Sequence, residues 1–456
     1  MAVATVTTEF TNVFPRELDR TYPLIDHASG VWLYDTEGRA FLDAVGGGAM
    51  VTSLGHGVPE IISAAHEQAQ RVSFLYNQQF TSAPQEELAR EVTRVLPPSL
   101  NRVHFVSGGT EANETALRMV RSYHVERGEL QRTRIVSPAQ AYHGPTVATL
   151  ALTGRPHLQH PYQPFVVAQP HIPPSTWRFD PSGQAALDAL DAIIEAEGPE
   201  RIAAFMCEPV SAAALPGYSP PPAFWEGLVE RRERYGFLIV LDEVVTGLGR
   251  TGTWFAADRL GFEPDVITTA KGLGAGYAPI GFMAAADHVF QAVADGSREF
   301  ELGHTWDGAP LPCAVGLAVL RYLREHDLIA RVNFVGARLQ HELALALEDC
   351  PMVREVRGRG LLLGIDYVDP RDGESLLDPR LGVARQIDME ALANGLIVYS
   401  TQPTADGYTG DQTLLAPAFV TPDAELSTIV ERMAATVRTV QRRVVSEIGR
   451  IAVASP

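Results

Sequence analysis

Residues 264–276 read PDVITTAKGLGAG. The apolar run through VITTA has the character of a short strand running into Lys271, and the glycines after it make a flexible turn. Between the two stands Lys271, the only lysine in a chain whose lysines and arginines together number 37. Arginine replaces lysine at most exposed positions, but not where the side chain must become a neutral amine, because a guanidinium keeps its proton. A neutral lysine amine condenses with an aldehyde to a Schiff base. Compositional drift toward arginine also leaves lone lysines behind, so place decides between the two readings. Lys271 ends a strand, and open parallel sheets bind ligands beyond the carboxyl ends of their strands.

The same pattern recurs outward from this stretch. RVHFVSGGTEANETALRMVRSY (102–123) reads as strand, glycine turn and amphipathic helix, and RIVSPAQAYHG (134–144) as strand and polar loop. IAAFMCEPV (202–210) runs into Glu208 and FLIVLDEV (237–244) into Asp242. Short apolar runs alternating with helical periodicity indicate an α/β protein, and these five strand ends predict one site on a mostly parallel sheet flanked by helices. Outside this region, 31–45 reads as a hairpin turning at Glu37-Gly38, and 353–368, 395–400 and 413–421 read as strands followed by a helix over 422–445. The expected organisation is a large domain over 60–325 and a smaller α+β domain over 326–456, with the segment 1–59 packed beside the latter.

Bulk properties narrow the partners. A net charge of −18 argues against nucleic acid and against anionic membranes. The amino-terminal stretch lacks the plan of a signal peptide, and no apolar run is long enough to span a bilayer. Cys207, Cys313 and Cys350 are isolated and odd in number, so neither a disulfide framework nor a metal cluster is expected, and the chain reads as cytoplasmic.

Asp242 sharpens the chemistry. A carboxylate after FLIVL is buried and needs a positive or hydrogen-bonded partner. The protonated ring nitrogen of pyridoxal phosphate is one such partner. Capping a helix or binding a metal, as in a Walker-B strand, are the alternatives, but no GxxxxGK[ST] element accompanies it. Ser107, Gly108, Gly109 and Thr110 form a glycine turn at a helix start, which suits a phosphate. Tyr142 in AYHG offers a flat face to a pyridine ring, although a loop tyrosine more often simply packs.

Nearly end to end, the chain resembles the class III aminotransferases, a group of fold-type I pyridoxal-phosphate enzymes that includes ornithine, 4-aminobutyrate and ω-amino-acid:pyruvate transaminases. The resemblance rests on YDTEGRAFLDAVGGG, LGHGVPEI, SGGTEANE, AYHG, LDEVVTGLGRTG, TTAKGLGAGYAPIG and GHTWDGAPLPCAVG, and most specifically on LDEV…GRTG followed by AKGLGAG. It implies that Lys271 carries the cofactor as a Schiff base and moves the proton, that Asp242 pairs with the pyridine nitrogen, and that Val244 packs opposite Tyr142. It further implies that Gly109 and Thr110 hold the phosphate, that Glu208 lies on the phenolic-oxygen side, and that His143 orients the tyrosine or is structural. Thr305 would reach the phosphate from the partner subunit of a homodimer. The implied reaction moves an amino group from an amine or amino-acid donor to a 2-oxo acid. The same cofactor on the same fold also supports racemisation or epimerisation, 1,2-amino transfer by an aminomutase, and decarboxylation.

Two departures concern the substrate. Ornithine and 4-aminobutyrate types pair a glutamate after the EP motif with an arginine near the carboxyl-terminal PPL. Here those positions fall at Ala213 and near Gly407, and PPL has become PAF (417–419). A substrate carboxylate must therefore find another group. Arg359 in RGRG is a candidate, although a structural ion pair explains it as well. GGGAM (46–50), with Ala49, reads either as a pocket wall cut back for bulky amines or as a turn that needs glycine dihedrals.

Overall fold

The strand ends singled out above converge at the carboxyl edge of a seven-stranded sheet in the computed structural model, which describes residues 5–6, 11–18, 20–176, 180–401 and 410–454. The strands are β1 (Leu100–Val106), β2 (Arg134–Pro138), β3 (His171–Ile172), β4 (Ile202–Cys207), β5 (Leu238–Asp242), β6 (Val266–Thr269) and β7 (Gly281–Ala286). They lie in the order β1-β7-β6-β5-β4-β2-β3. All pair in parallel except β7, which runs antiparallel to both its neighbours. Every residue of β4, β5, β6 and β7 is buried, as expected for a sheet covered on both faces. β3 and β7 were not anticipated. The first is too short to show a period, and GFMAAA lacks the β-branched residues that mark a strand, taking its form from the strands beside it.

Helix α1 (Gly109–Glu126) leaves β1 through the Ser107-Gly108 turn. Residue 109 must be glycine, since a Cβ there would lie 2.6 Å from Cγ1 of Val244. The expected hairpin pairs Trp32–Asp35 with Ala40–Asp43, and Asp35 Oδ1 braces its turn by accepting from the N–H groups of Glu37 (3.0 Å) and Arg39 (2.8 Å). GLIVYS divides between two sheets. Leu396–Ile397 adds in parallel to Ala40–Asp43, and Tyr399–Thr401 pairs with Gln412–Leu415 beside the Val353–Arg359/Leu362–Tyr367 hairpin. The last helix, Asp423–Ala454, runs past the expected end at 445, because Val440, Val444 and Ile448 continue its buried stripe.

The GRTG loop ties the carboxyl-terminal region to the sheet. Arg250 is fully buried and donates to the carbonyls of Leu361 (3.0 Å) and Pro417 (2.6 Å), with its guanidinium 4.6 Å from the centre of the Phe419 ring. Burial pulls its pKa down to about 9, against the opposing charge of Asp43. Among the described residues no helix is long and apolar enough to cross a membrane.

Candidate active site

The polar strand ends border one cleft of about 300 Å³. Ser107, Gly108, Gly109 and Thr110 form one wall, at the head of α1, where the first N–H groups of a helix have no partner inside it. Glu111 locks this turn, its Oε2 accepting from both the backbone N–H (2.8 Å) and the hydroxyl of Ser107.

Asp242 ends β5, 4% exposed, at the cleft floor. Its Oδ2 accepts from Asn113 Nδ2 at 2.7 Å and from His143 Nδ1 at 2.8 Å, and its Oδ1 accepts from the Val244 N–H at 3.0 Å. A carboxylate only accepts, so Nδ1 is the donor nitrogen of His143. The buried Nε2 of that ring has no hydrogen-bond partner among the described residues. His143 thus meets Asp242 rather than orienting Tyr142. Asn113 also donates to the His143 carbonyl (2.7 Å) and accepts from the Thr268 hydroxyl (2.6 Å), joining α1, β6 and the AYHG loop around one carboxylate.

Lys271 follows β6 with φ +37°, a conformation non-glycine residues rarely adopt. Desolvation of its amine pulls the pKa down to about 8; Asp242 and Glu208 oppose this, and Arg250 adds to it. The neutral amine is therefore within reach near neutral pH. Glu208, after β4, accepts from the N–H groups of Tyr142 (3.3 Å) and Ala212 (3.2 Å), and burial raises its carboxyl pKa. Tyr142 and Val244 border the same cleft.

Residues 13–437 match the family described as aminotransferase class III. The chain belongs to the class III aminotransferases. It is 35% identical to an uncharacterized aminotransferase, YodT, of Bacillus subtilis, over 93% of this chain and 97% of that one. It is 32% identical to a putrescine–pyruvate aminotransferase of Pseudomonas aeruginosa, over 89% of this chain and 88% of that one. Its fold superposes with a TM-score of 0.88 on the ω-transaminase of Pseudomonas jessenii in complex with PMP, at 27% identity, covering 95% of this chain and 97% of that chain. The protein is thus a transaminase, moving an amino group from an amine or amino-acid donor to a 2-oxo acid. Nothing in these matches favours racemisation, aminomutase chemistry or decarboxylation.

Some residues singled out in the sequence lie elsewhere in this aminotransferase. Thr305 is exposed beside Trp306 and does not border the cleft of its own chain. Arg359 ends Val353–Arg359, outside the cleft lining. The cleft is bordered by Val51 rather than Ala49, and the glycines of GGGAM have a backbone reason, with φ of +63°, +76° and +80° at Gly46, Gly47 and Gly48. Ala213 borders the cleft, whereas Gly407 lies outside the described residues. Two contributors went unseen in the sequence, Asn113 and Thr268. The signal for the first was its spacing, since a residue four after Gly109 shares the face of α1 that starts at the cleft.

Proposed function

We propose that the Lys271 cleft holds pyridoxal 5′-phosphate and that two copies of the chain form a homodimer with shared sites. The observation that carries the cofactor is the meeting of the chain's only lysine, its amine driven toward neutrality, with the oriented carboxylate of Asp242 at the head of α1. The donor set fits the group: an amine for the aldehyde, an anion for the ring nitrogen and a helix start for the phosphate. The PMP of the solved Pseudomonas jessenii neighbour supports the same reading.

In this reading Gly108, Gly109 and Thr110 hold the phosphate, Asp242 faces the ring nitrogen, Tyr142 and Val244 cover the ring faces, and Glu208 lies toward the phenolic oxygen. When bound, the group supplies an aldehyde that condenses with primary amines and a ring that takes up the electron pair left when the neighbouring C–H bond breaks. Lys271 Nζ, neutral, accepts the proton from the amine-bearing carbon of the donor and delivers it again within the site. Asn113, His143 and the Val244 N–H keep the Asp242 carboxylate aimed, so that it would hold a proton on the ring nitrogen. Donor and 2-oxo acid use the cleft in turn, which gives ping-pong kinetics.

The dimer is supported by an exposed aromatic group around Thr305. Trp306 is 55% exposed and Phe74 41%, their rings 5.3 Å apart edge to face, with Phe80 62% exposed in the same stretch as Phe74. Exposed apolar patches of this kind mark interfaces, and Thr305 of the partner subunit would complete the phosphate site. Three buried cysteines without disulfides suit a reducing compartment, and we place the protein in the cytoplasm.

The test is to mix purified enzyme with an amine donor and no 2-oxo acid. The visible absorbance should change once, release one equivalent of carbonyl product per subunit and stop until pyruvate is added. Continued turnover without an acceptor contradicts amino-group transfer in this cleft.

A further inference from the structure

A larger cavity, of about 1040 Å³, shares no lining residue with the Lys271 cleft and is lined by residues from the amino-terminal segment, the carboxyl-terminal region and the stretch after Tyr142. Among the described residues, five arginines and two carboxylates border it. Three of the arginines are engaged or neutralised. Arg39 pairs with Asp35 (2.6 Å) and Glu37 (3.0 Å), Arg20 approaches Glu17 (3.8 Å), and Arg432 donates to the Gly395 carbonyl (2.6 Å) and stacks over Trp32. Arg385 is exposed to solvent.

Arg155 differs from all of these. It is only 8% exposed, and among the described residues it has no carboxylate partner and no hydrogen-bond partner at Nε. Its one bond is a neutral one, from Nη2 to the Thr401 hydroxyl at 3.2 Å. A buried cation left this open is costly, and an arginine cannot shed its charge to escape the cost. The planar guanidinium is built for two parallel bonds to a carboxylate.

The position of Arg155 ties it to the chemistry. Gly154 bridges Ala139, and its carbonyl accepts from the Gln140 N–H at 2.7 Å. The Thr153 hydroxyl accepts from the His143 N–H at 3.0 Å. Only glycine allows this approach, since a Cβ at 154 would lie 2.6 Å from the Pro138 carbonyl oxygen. Arg155 is therefore stitched to the loop that carries Tyr142 and His143, and its charge is felt at the Tyr142 hydroxyl, where it opposes the upward effect of burial. Its anchor Thr401 closes the strand before 402–409, the stretch in which the sequence lacks the arginine expected of ornithine and 4-aminobutyrate types. Ala213 brings no charge to the cleft.

We propose that Arg155 is the residue that recognises the substrate carboxylate, receiving that of the 2-oxo acid acceptor, or of an amino-acid donor, while the reacting carbon lies at Lys271. The proposal rests on amino transfer in the Lys271 cleft. Asp388 is the carboxylate of the same cavity to be reckoned with: its Oδ1 has no partner among the described residues, and burial, opposed by hydrogen bonds from Ser400, pushes its pKa up to about 6. Its charge steers a bound anion toward the arginine side.

The test uses holoenzyme and the variants Arg155→Gln and Arg155→Lys, with one carboxylate-free amine donor and two acceptors, pyruvate and the carboxylate-free aldehyde butanal. In R155Q, kcat/KM for pyruvate should fall about 100-fold, mainly through KM, while that for butanal stays within about two-fold. R155K keeps the charge but loses the fork, and should fall about ten-fold on pyruvate alone. Calorimetry with glutarate, which cannot be aminated, gives a reading free of turnover: wild type binds it, and R155Q binds at least about ten-fold more weakly. Parallel losses on both acceptors, or unchanged glutarate affinity, overturn the proposal, and if R155Q does not fold, an R155K that treats pyruvate as wild type does so equally. Wild-type enzyme that aminates neither acceptor sinks the transaminase reading instead, while the glutarate titration still reports on Arg155.

Discussion

The Lys271 cleft and the Arg155 cavity each bury a cation with no carboxylate in contact among the described residues, and they resolve the cost in opposite ways. At the carboxyl end of β6 the cation is an amine, and desolvation pushes it toward its neutral form, with a pKa near 8. Along the 153–155 stretch it is a guanidinium, which stays charged and is held open by a single hydroxyl. The first arrangement suits a group that must gain and lose a proton, the second a group that must never lose one. In a chain whose lysines and arginines include a single lysine, the choice of residue would, on the proposed assignments, separate reaction from recognition.

Exchanging the two solutions gives the largest expected effect. Lys271→Arg places a permanent charge where a neutral amine is needed, and amine-driven conversion should fall about 10⁴-fold or more in single-turnover absorbance measurements. Activity within ten-fold of wild type would erase the contrast between the regions. Asp242→Asn keeps shape but removes the anion aimed by Asn113, His143 and the Val244 N–H, and kcat should fall on the order of 10²-fold with the fold intact by circular dichroism.

A quieter consequence is thermodynamic. The Lys271 pKa is about 8 in the folded protein against an ordinary value of 10.5, so between these values the unfolded chain binds the extra proton. Stability of the cofactor-stripped enzyme should therefore rise as pH climbs from 8 to 10.5, by at most about 3 kcal/mol from this one group. Lys271→Met removes the term, and urea titrations of both proteins across that range read it as a widening, then levelling, difference. A difference independent of pH would mean that the amine is not desolvated. The smallest effect is expected at Ala49, which is exposed and outside the cleft lining. Ala49→Trp should leave the ratio of large- to small-amine turnover within about two-fold.

The two regions also differ in how openly the sequence displays them. The cleft was legible because each contributor ends an apolar run: Glu208 follows IAAFMC, Asp242 follows FLIVL and Lys271 follows VITTA, so each sets a charge at the end of a buried strand. Asn113 escaped notice because it stands inside a helix, where an asparagine has no such contrast with its neighbours. Arg155 carried no signal at all, since an arginine after a glycine in a loop reads as surface until tertiary packing buries it. The long-range pairing of Leu396–Ile397 with Ala40–Asp43 was equally silent, because two-residue strands have no period. The last helix outran its expected end for the converse reason: its buried stripe persists through Ile448 past the polar Glu447.

The most direct test concerns the bond at Lys271 itself. Cofactor-saturated enzyme is reduced with borohydride, digested with trypsin and mapped by mass spectrometry. A lysine joined to the cofactor resists cleavage, so the expected result is an intact peptide Leu260–Arg298 bearing the reduced cofactor at residue 271. Recovery of that region cut after an unmodified Lys271, with the cofactor lost or attached elsewhere, would contradict the assignment at its base.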